Sequence, residues 1–97
     1  MNYMASKKVV GGKFLRVKIE ADTTITKMQI LGDFFLHPEE SLPAIEKSLI
    51  GLHVNSTSET FASHIQQALT QQNAAFIGLT PEDIAQTMVE AISASEK

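Results

Sequence analysis

Ile30-Leu31-Gly32-Asp33-Phe34-Phe35-Leu36-His37-Pro38-Glu39-Glu40 leads from an apolar strand, through a Gly-Asp junction and two adjacent phenylalanines, into a proline that can open a helix. Upstream of this junction the chain reads as strand, downstream as helix. Phe14–Ala21 alternates: Leu15, Val17, Ile19 and Ala21 point to one face, Phe14, Arg16, Lys18 and Glu20 to the other, the pattern of a half-buried strand. Asp22-Thr23 forms a short turn, and Thr24 to Leu31 predicts a second, antiparallel strand. Phe34-Phe35-Leu36 predicts a short third strand or an extended entry to the first helix. Residues 1–8 are expected to form a flexible N-terminal arm, with a single domain over residues 9–94.

Three helices are expected after the junction. Pro38 suits the first helical position, with Glu39 and Glu40 at the positive end of the helix dipole. Leu42, Ile45 and Leu49 recur at helical spacing, and Gly51 stops the run. Ser56-Thr57-Ser58-Glu59 reads as a capping box ahead of a helix with Phe61, Ile65, Ala68 and Leu69 on one face, ending near Asn73. Thr80-Pro81-Glu82-Asp83 opens a last helix that turns Ile84, Met88 and Ile92 inward. Strands followed by helices predict an α+β fold: a small antiparallel sheet, two long strands plus a short third, covered on one face by the helices. The other face then carries Phe14, Arg16, Lys18, Lys27, Gln29 and Leu31.

The chain has 97 residues, no cysteine and a net charge of −3. That excludes a disulfide framework, thiol catalysis and a thiolate-held iron–sulfur centre. No apolar run approaches the roughly 20 residues that span a bilayer, and the N-terminal residues lack a secretory pattern, so a cytoplasmic protein with no membrane partner is expected. Charge is uneven: the first 27 residues carry +4 and the remainder −7. This predicts a basic sheet surface beside an acidic helical one. Its plain reading is a solvated face; its sharper reading is attraction of an anionic ligand or an acidic partner. An isoelectric point near 5.5 and few basic residues argue against a nucleic-acid partner.

Little in the chain resembles catalytic machinery. His37, His53 and His64 share no ligand spacing, so no metal site is expected. Asp33 with Glu39 or Glu40 could imitate an acid–base pair, but the glutamates suit a helix start and Asp33 suits a turn whose carboxylate accepts backbone N–H groups. Gly11-Gly12-Lys13 lacks the remainder of a phosphate loop, and no serine sits in a nucleophile elbow. No catalytic residue is expected. Phe34 and Phe35 cannot both point inward from an extended segment. One seals the helix layer; the other is exposed or meets a partner, which makes it the candidate interface anchor.

Gly11-Gly12-Lys13-Phe14-Leu15-Arg16-Val17, the hairpin, and the junction from Ile30 to Glu40 together resemble the small accessory domain of lipoate–protein ligases, most clearly between Gly11 and Gly51. The Gly-Leu-Thr-Pro-Glu-Asp-Ile-Ala run at 78–85 is similar to the start of that family's last helix, whereas Asp22-Thr23 stands where the family often has a glycine. In many bacteria the domain follows the catalytic domain; in some archaea it is a separate small subunit. The resemblance implies a non-catalytic subunit that pairs as a heterodimer with a lipoate–protein ligase catalytic subunit and supports formation of lipoyl-AMP. It implies no cofactor in this chain, with lipoate, ATP and Mg bound through the partner. On this reading Lys13 and Arg16, with Lys7 and Lys8 behind them, are candidates to lend positive charge to the reacting phosphate. Gly12, Gly32, Asp33, Phe34 and Phe35 are candidates for the partner interface. Two alternatives stand beside it: Lys13 as a solvated residue at a strand start, and the whole chain as a free-standing α+β binding or scaffold module, homodimeric and unrelated to lipoate.

Overall fold

Asn2–Lys8 forms strand β1, not the flexible arm expected of residues 1–8. The computed structural model describes residues 1–9 and 13–95. In it β1 runs antiparallel to β2 (Phe14–Ala21), with Tyr3 opposite Ile19 and Ala5 opposite Val17. Tyr3 and Ala5 turn toward the core while Asn2, Met4 and Ser6 turn outward, a period of two that a short polar segment displays only faintly. Strand β3 (Ile25–Gly32) pairs with the other side of β2, with Val17 opposite Ile30 and a bulge at Glu20/Ala21. The sheet order is therefore β1-β2-β3, all antiparallel. Its third strand comes from the N-terminal segment. The expected candidate, Phe34-Phe35-Leu36, leaves this sheet: β4 (Phe35–His37) pairs with β5 (Ala75–Ile77) in a separate two-stranded sheet.

The first helix also starts later than Pro38. That residue is extended, a one-turn 3₁₀ segment follows at Glu39–Ser41, and α1 occupies Leu42–Lys47. Pro43 supplies the reason. A helix begun at Pro38 would place Pro43 in its interior, where the missing N–H forfeits a hydrogen bond; begun at Leu42, it places Pro43 in the first turn, where no partner is needed. Helix α2 (Ser58–Gln71) is capped by Thr57, whose hydroxyl accepts the Thr60 N–H at 3.1 Å, so the cap lies one residue beyond Ser56 and Glu59 does not close a box. Helix α3 (Pro81–Ser95) starts as its sequence predicts. The Thr80 N–H donates to the Asp83 carboxylate at 3.0 Å and the Asp83 N–H donates to the Thr80 hydroxyl at 3.1 Å.

One hydrophobic cluster joins these elements. Leu15, Val17 and Ile19 of β2 and Ile30 of β3 meet Phe61 and Ile65 of α2 and Ile84 and Met88 of α3, all buried. The opposite sheet face, with Met4, Lys18, Lys27, Gln29 and Leu31, is exposed. The outer edge of β3 is partly covered. The Ile25 N–H donates to the Leu52 carbonyl at 2.9 Å, the Gly51 N–H donates to the Ile25 carbonyl at 2.8 Å, and the Ile30 N–H donates to the Glu46 carboxylate at 2.8 Å. Burial raises the Glu46 carboxyl above its ordinary range, against the opposing effect of the Ile30 hydrogen bond.

That shift makes stability pH-dependent in a definite direction. The folded state holds the Glu46 proton more tightly than the unfolded chain does, so ionisation of Glu46 opposes folding above the raised pKa, and the penalty fades as pH falls through it. Glu46→Gln keeps an oxygen for the Ile30 N–H and removes the charge. It is expected to be at least as stable as the parent at about pH 8, with the gap narrowing toward about pH 4. Glu46→Ala is expected to be less stable than Glu46→Gln throughout, by about 1 kcal/mol, because it leaves the Ile30 N–H without its acceptor. Denaturant unfolding across pH measures both differences; a parent more stable than Glu46→Gln at the upper pH contradicts the account.

Candidate functional site

Leu36 and Phe76 stand opposite each other in the β4–β5 ribbon and face inward. Leu36 is buried, and Phe76 meets Phe34 edge to face, with ring centroids 5.3 Å apart. Phe34 is thus the phenylalanine that turns inward. Alternation sends Phe35 and Ile77, also directly opposed, to the outside, where they are 64% and 61% exposed. Opposed side chains on an antiparallel pair have Cβ atoms about 4.5–5.5 Å apart, so the two form one apolar patch.

A cation borders that patch. The Lys13 Nζ lies 6.0 Å from the centroid of the Phe35 ring. Its stem passes over Gly78, where a Cβ would come within 3.3 Å of Lys13 Cε and where φ is +86°. The backbone conformation favours glycine, and the absence of a Cβ lets the flexible lysine stem lie close. A cation–π contact at an exposed site is worth about 0.5–1 kcal/mol, enough to bias where the ammonium sits but little for stability.

The turn out of β3 sets the ribbon in place. A Cβ at Gly32 would collide with the Phe14 carbonyl oxygen. The Asp33 N–H donates to that same oxygen at 2.9 Å. Asp33 therefore acts through its backbone; among the described residues its carboxylate accepts none of the N–H bonds expected of it.

The other predicted residues lie elsewhere. Gly12 falls outside the described residues. Arg16 stands on the open sheet face, its Nε donating to the Ser6 hydroxyl at 2.9 Å and its guanidinium 5.5 Å from the Phe14 ring. Lys7 pairs with Glu90 of α3 at 3.3 Å, a partly exposed bridge that contributes little, and Lys8 is exposed. His37 is on β4, His53 accepts the Asn55 N–H through Nδ1 at 3.1 Å, and His64 is on α2. Among the described residues no group of three or more histidine or acidic side chains could hold a metal ion, and no helix is long and apolar enough to cross a membrane. Ile77, and the place of Gly78 beneath Lys13, escaped the sequence reading; the signal for them is Ala75-Phe76-Ile77, a brief β-prone run between Asn73 and Gly78.

A three-stranded antiparallel sheet packed against helices, with a two-stranded ribbon set off from it, defines a two-sheet α+β domain. The chain is similar to one of known structure from an archaeal lipoylation system, a bi-partite lipoate protein ligase and its E2 lipoyl domain from Thermoplasma acidophilum. Identity is 30%, the match covers 91% of this chain and 97% of the other, and the TM-score is 0.69. No protein-family model and no curated protein sequence matches it. The chain belongs to the family of lipoate–protein ligase accessory domains.

The two adjacent phenylalanines separate stability from surface. Phe34→Ala is expected to cost about 1–3 kcal/mol, less than for a fully buried ring because Phe34 is half-buried, while Phe35→Ala stays within about 0.5 kcal/mol of the parent. Gly32→Ala is expected to cost about 1–3 kcal/mol through its collision with the Phe14 carbonyl. Thermal or denaturant unfolding reads all three; equal losses for Phe34→Ala and Phe35→Ala would contradict the orientation of the rings.

Proposed function

We propose that this chain is a non-catalytic accessory subunit of a lipoate–protein ligase, which associates as a heterodimer with the catalytic subunit in the cytoplasm and supports ATP-dependent adenylation of lipoate. The likeness to a chain of a bi-partite ligase system, running through nearly all of both chains, carries this reading. In it, lipoate, ATP and Mg are held by the partner. The Phe35–Ile77 patch is the docking anchor, since large exposed apolar side chains on a short rigid element gain most when a partner covers them.

Adenylation joins the lipoate carboxylate to the α-phosphorus of ATP as pyrophosphate leaves, and negative charge builds on the phosphate oxygens. A small docked domain can assist in two ways. It can hold a loop of its partner in the reactive arrangement. It can also place a cation where that charge develops. Lys13 suits the second role: its stem lies against Gly78 and its ammonium beside Phe35, so less freedom is lost in positioning it than for a lysine in open solvent. Arg16 is engaged with Ser6 and Phe14 on the open sheet face, and Lys7 with Glu90.

Lipoate-dependent exchange between pyrophosphate and ATP tests the proposal. The purified chain is expected to show none alone and to raise the rate when mixed with the ligase catalytic subunit of the same organism. Phe35→Ala or Ile77→Ala is expected to weaken association by about 1–4 kcal/mol with the fold intact. Lys13→Ala is expected to lower the rate at saturating subunit, with Lys13→Arg retaining part of it. Exchange by the isolated chain, or no association with the catalytic subunit, overturns the proposal.

A further inference from the structure

The two edges of the three-stranded sheet are finished differently. Met1 exchanges both backbone hydrogen bonds with Ala21, its N-terminal amine donating to the Ala21 carbonyl and its carbonyl accepting the Ala21 N–H, each at 2.9 Å. At the other end of the same register the Val9 N–H donates to the Lys13 carbonyl at 2.8 Å. In an antiparallel ladder, hydrogen-bonded pairs alternate with pairs whose N–H and C=O groups point away from the neighbouring strand. The odd-numbered residues of β1 therefore bond β2, and Asn2, Met4, Ser6 and Lys8 direct their backbone groups outward. Among the described residues nothing pairs with those groups. On β3 three outward groups are covered, the Ile30 N–H by Glu46 and the Ile25 N–H and carbonyl by the backbone of 51–52.

The open sheet face is net positive. Residues with outward backbone groups on β1 also place their side chains on the open sheet face, with Met4 57% exposed. On that face stand Lys8, Arg16, Lys18 and Lys27, opposed by Glu20 alone among the acids, which Lys27 approaches at 3.9 Å. A hollow of about 820 Å³ bordered by Met4, Lys18, Lys27 and Ile50, and also by Glu20 and Glu46, adds room for side chains beside this surface. Free strand groups select an extended backbone, and the cations of the face, Lys8 at the end of β1 and Arg16 and Lys18 two residues apart on β2, favour acidic side chains on it. Met4 and Leu31 between the cations suit alternating apolar groups better than a phosphate backbone.

We infer that β1 is a docking edge for an acidic, extended segment of a partner protein, which adds as a fourth strand and lays its acidic side chains over the basic open face. This surface is separate from the Phe35–Ile77 patch, so the inference stands or falls independently of the proposed ligase docking.

The probes are two eight-residue peptides, one alternating glutamate with valine and one alternating lysine with valine, titrated against the full chain at low ionic strength with amide hydrogen exchange followed by NMR. The acidic peptide is expected to bind, to slow exchange of the Met4, Ser6 and Lys8 amides at least tenfold, and to leave the already paired Tyr3 and Ala5 amides unchanged. Raising salt is expected to weaken binding. Met4→Pro removes one outward donor and none that β2 uses, and is expected to weaken binding at least tenfold. The double variant Lys8→Glu, Lys18→Glu leaves the edge backbone intact and is expected to do the same. Failure of the acidic peptide to slow those amides overturns the inference. So does equal binding of the lysine peptide, slowing of the same amides by self-association without peptide, or tight binding of a single-stranded oligonucleotide to this face.

Discussion

The central strand β2 is hydrogen-bonded along both sides and buried along one face, and those two demands admit a single register. A slip of one residue would turn Arg16, Lys18 and Glu20 into the core and Leu15, Val17 and Ile19 into water. Each exposed aliphatic side chain forfeits about 1.5–3 kcal/mol, and each unpaired charge taken inside costs several more. Their sum is of the order of the whole stability of a small domain, about 5–15 kcal/mol, so the slipped form is not a competitor. The same register decides what the other face looks like: whatever is not aliphatic on β2 is carried outward, and on this strand that is Phe14, Arg16, Lys18 and Glu20.

From that register the position of the ribbon follows. Leu15 pairs with Gly32 at the end of β3, where the Phe14 carbonyl presses against the glycine and accepts the Asp33 N–H. Pairing with β2 ends there and the chain departs into β4. A two-stranded ribbon is marginal on its own. This one is held by Leu36 in the core and by the Phe34–Phe76 contact between its two halves. Having spent its inward positions on those contacts, the ribbon has only Phe35 and Ile77, His37 and Ala75 to present outward.

The sequence displays β2, β3 and the inward stripes of α2 and α3 because their apolar spacing persists over several residues and their ends carry local chemistry, most fully the Thr80–Asp83 cap. It hides β1, whose alternation rests on Tyr3 and Ala5 and whose partner groups are supplied by β2, a nonlocal term. It hides β5 for the same reason: three residues between α2 and α3 become a strand only because β4 lies alongside. Pro38 and Pro43 both advertise a helix start, and only the hydrogen-bond cost of an interior proline chooses between them. At the candidate site, alternation shows that Phe34 and Phe35 diverge; which of them turns inward depends on Phe76, a distant residue. Lys13 gains its setting from Gly78 and Phe35, likewise distant, so its spacing to any motif could not reveal it.

The two exposed surfaces differ in the physics they offer. The ribbon presents an apolar pair with one cation at its border, and burial of such a pair gains free energy that salt scarcely alters. The open sheet face presents dispersed cations whose field extends about 10 Å at moderate ionic strength and weakens as salt rises. The acidic residues of the chain fall mainly in and around the helices, among them Glu59, Glu82, Asp83 and Glu90, so the molecule is negative overall yet positive across its sheet. A charge distribution of that kind acts before contact. It turns the sheet side toward acidic surfaces and the helical side away from them. The two surfaces thus offer forces of different range and salt dependence, and both trace back to one alternating strand that buries its aliphatic side chains and turns its cations outward.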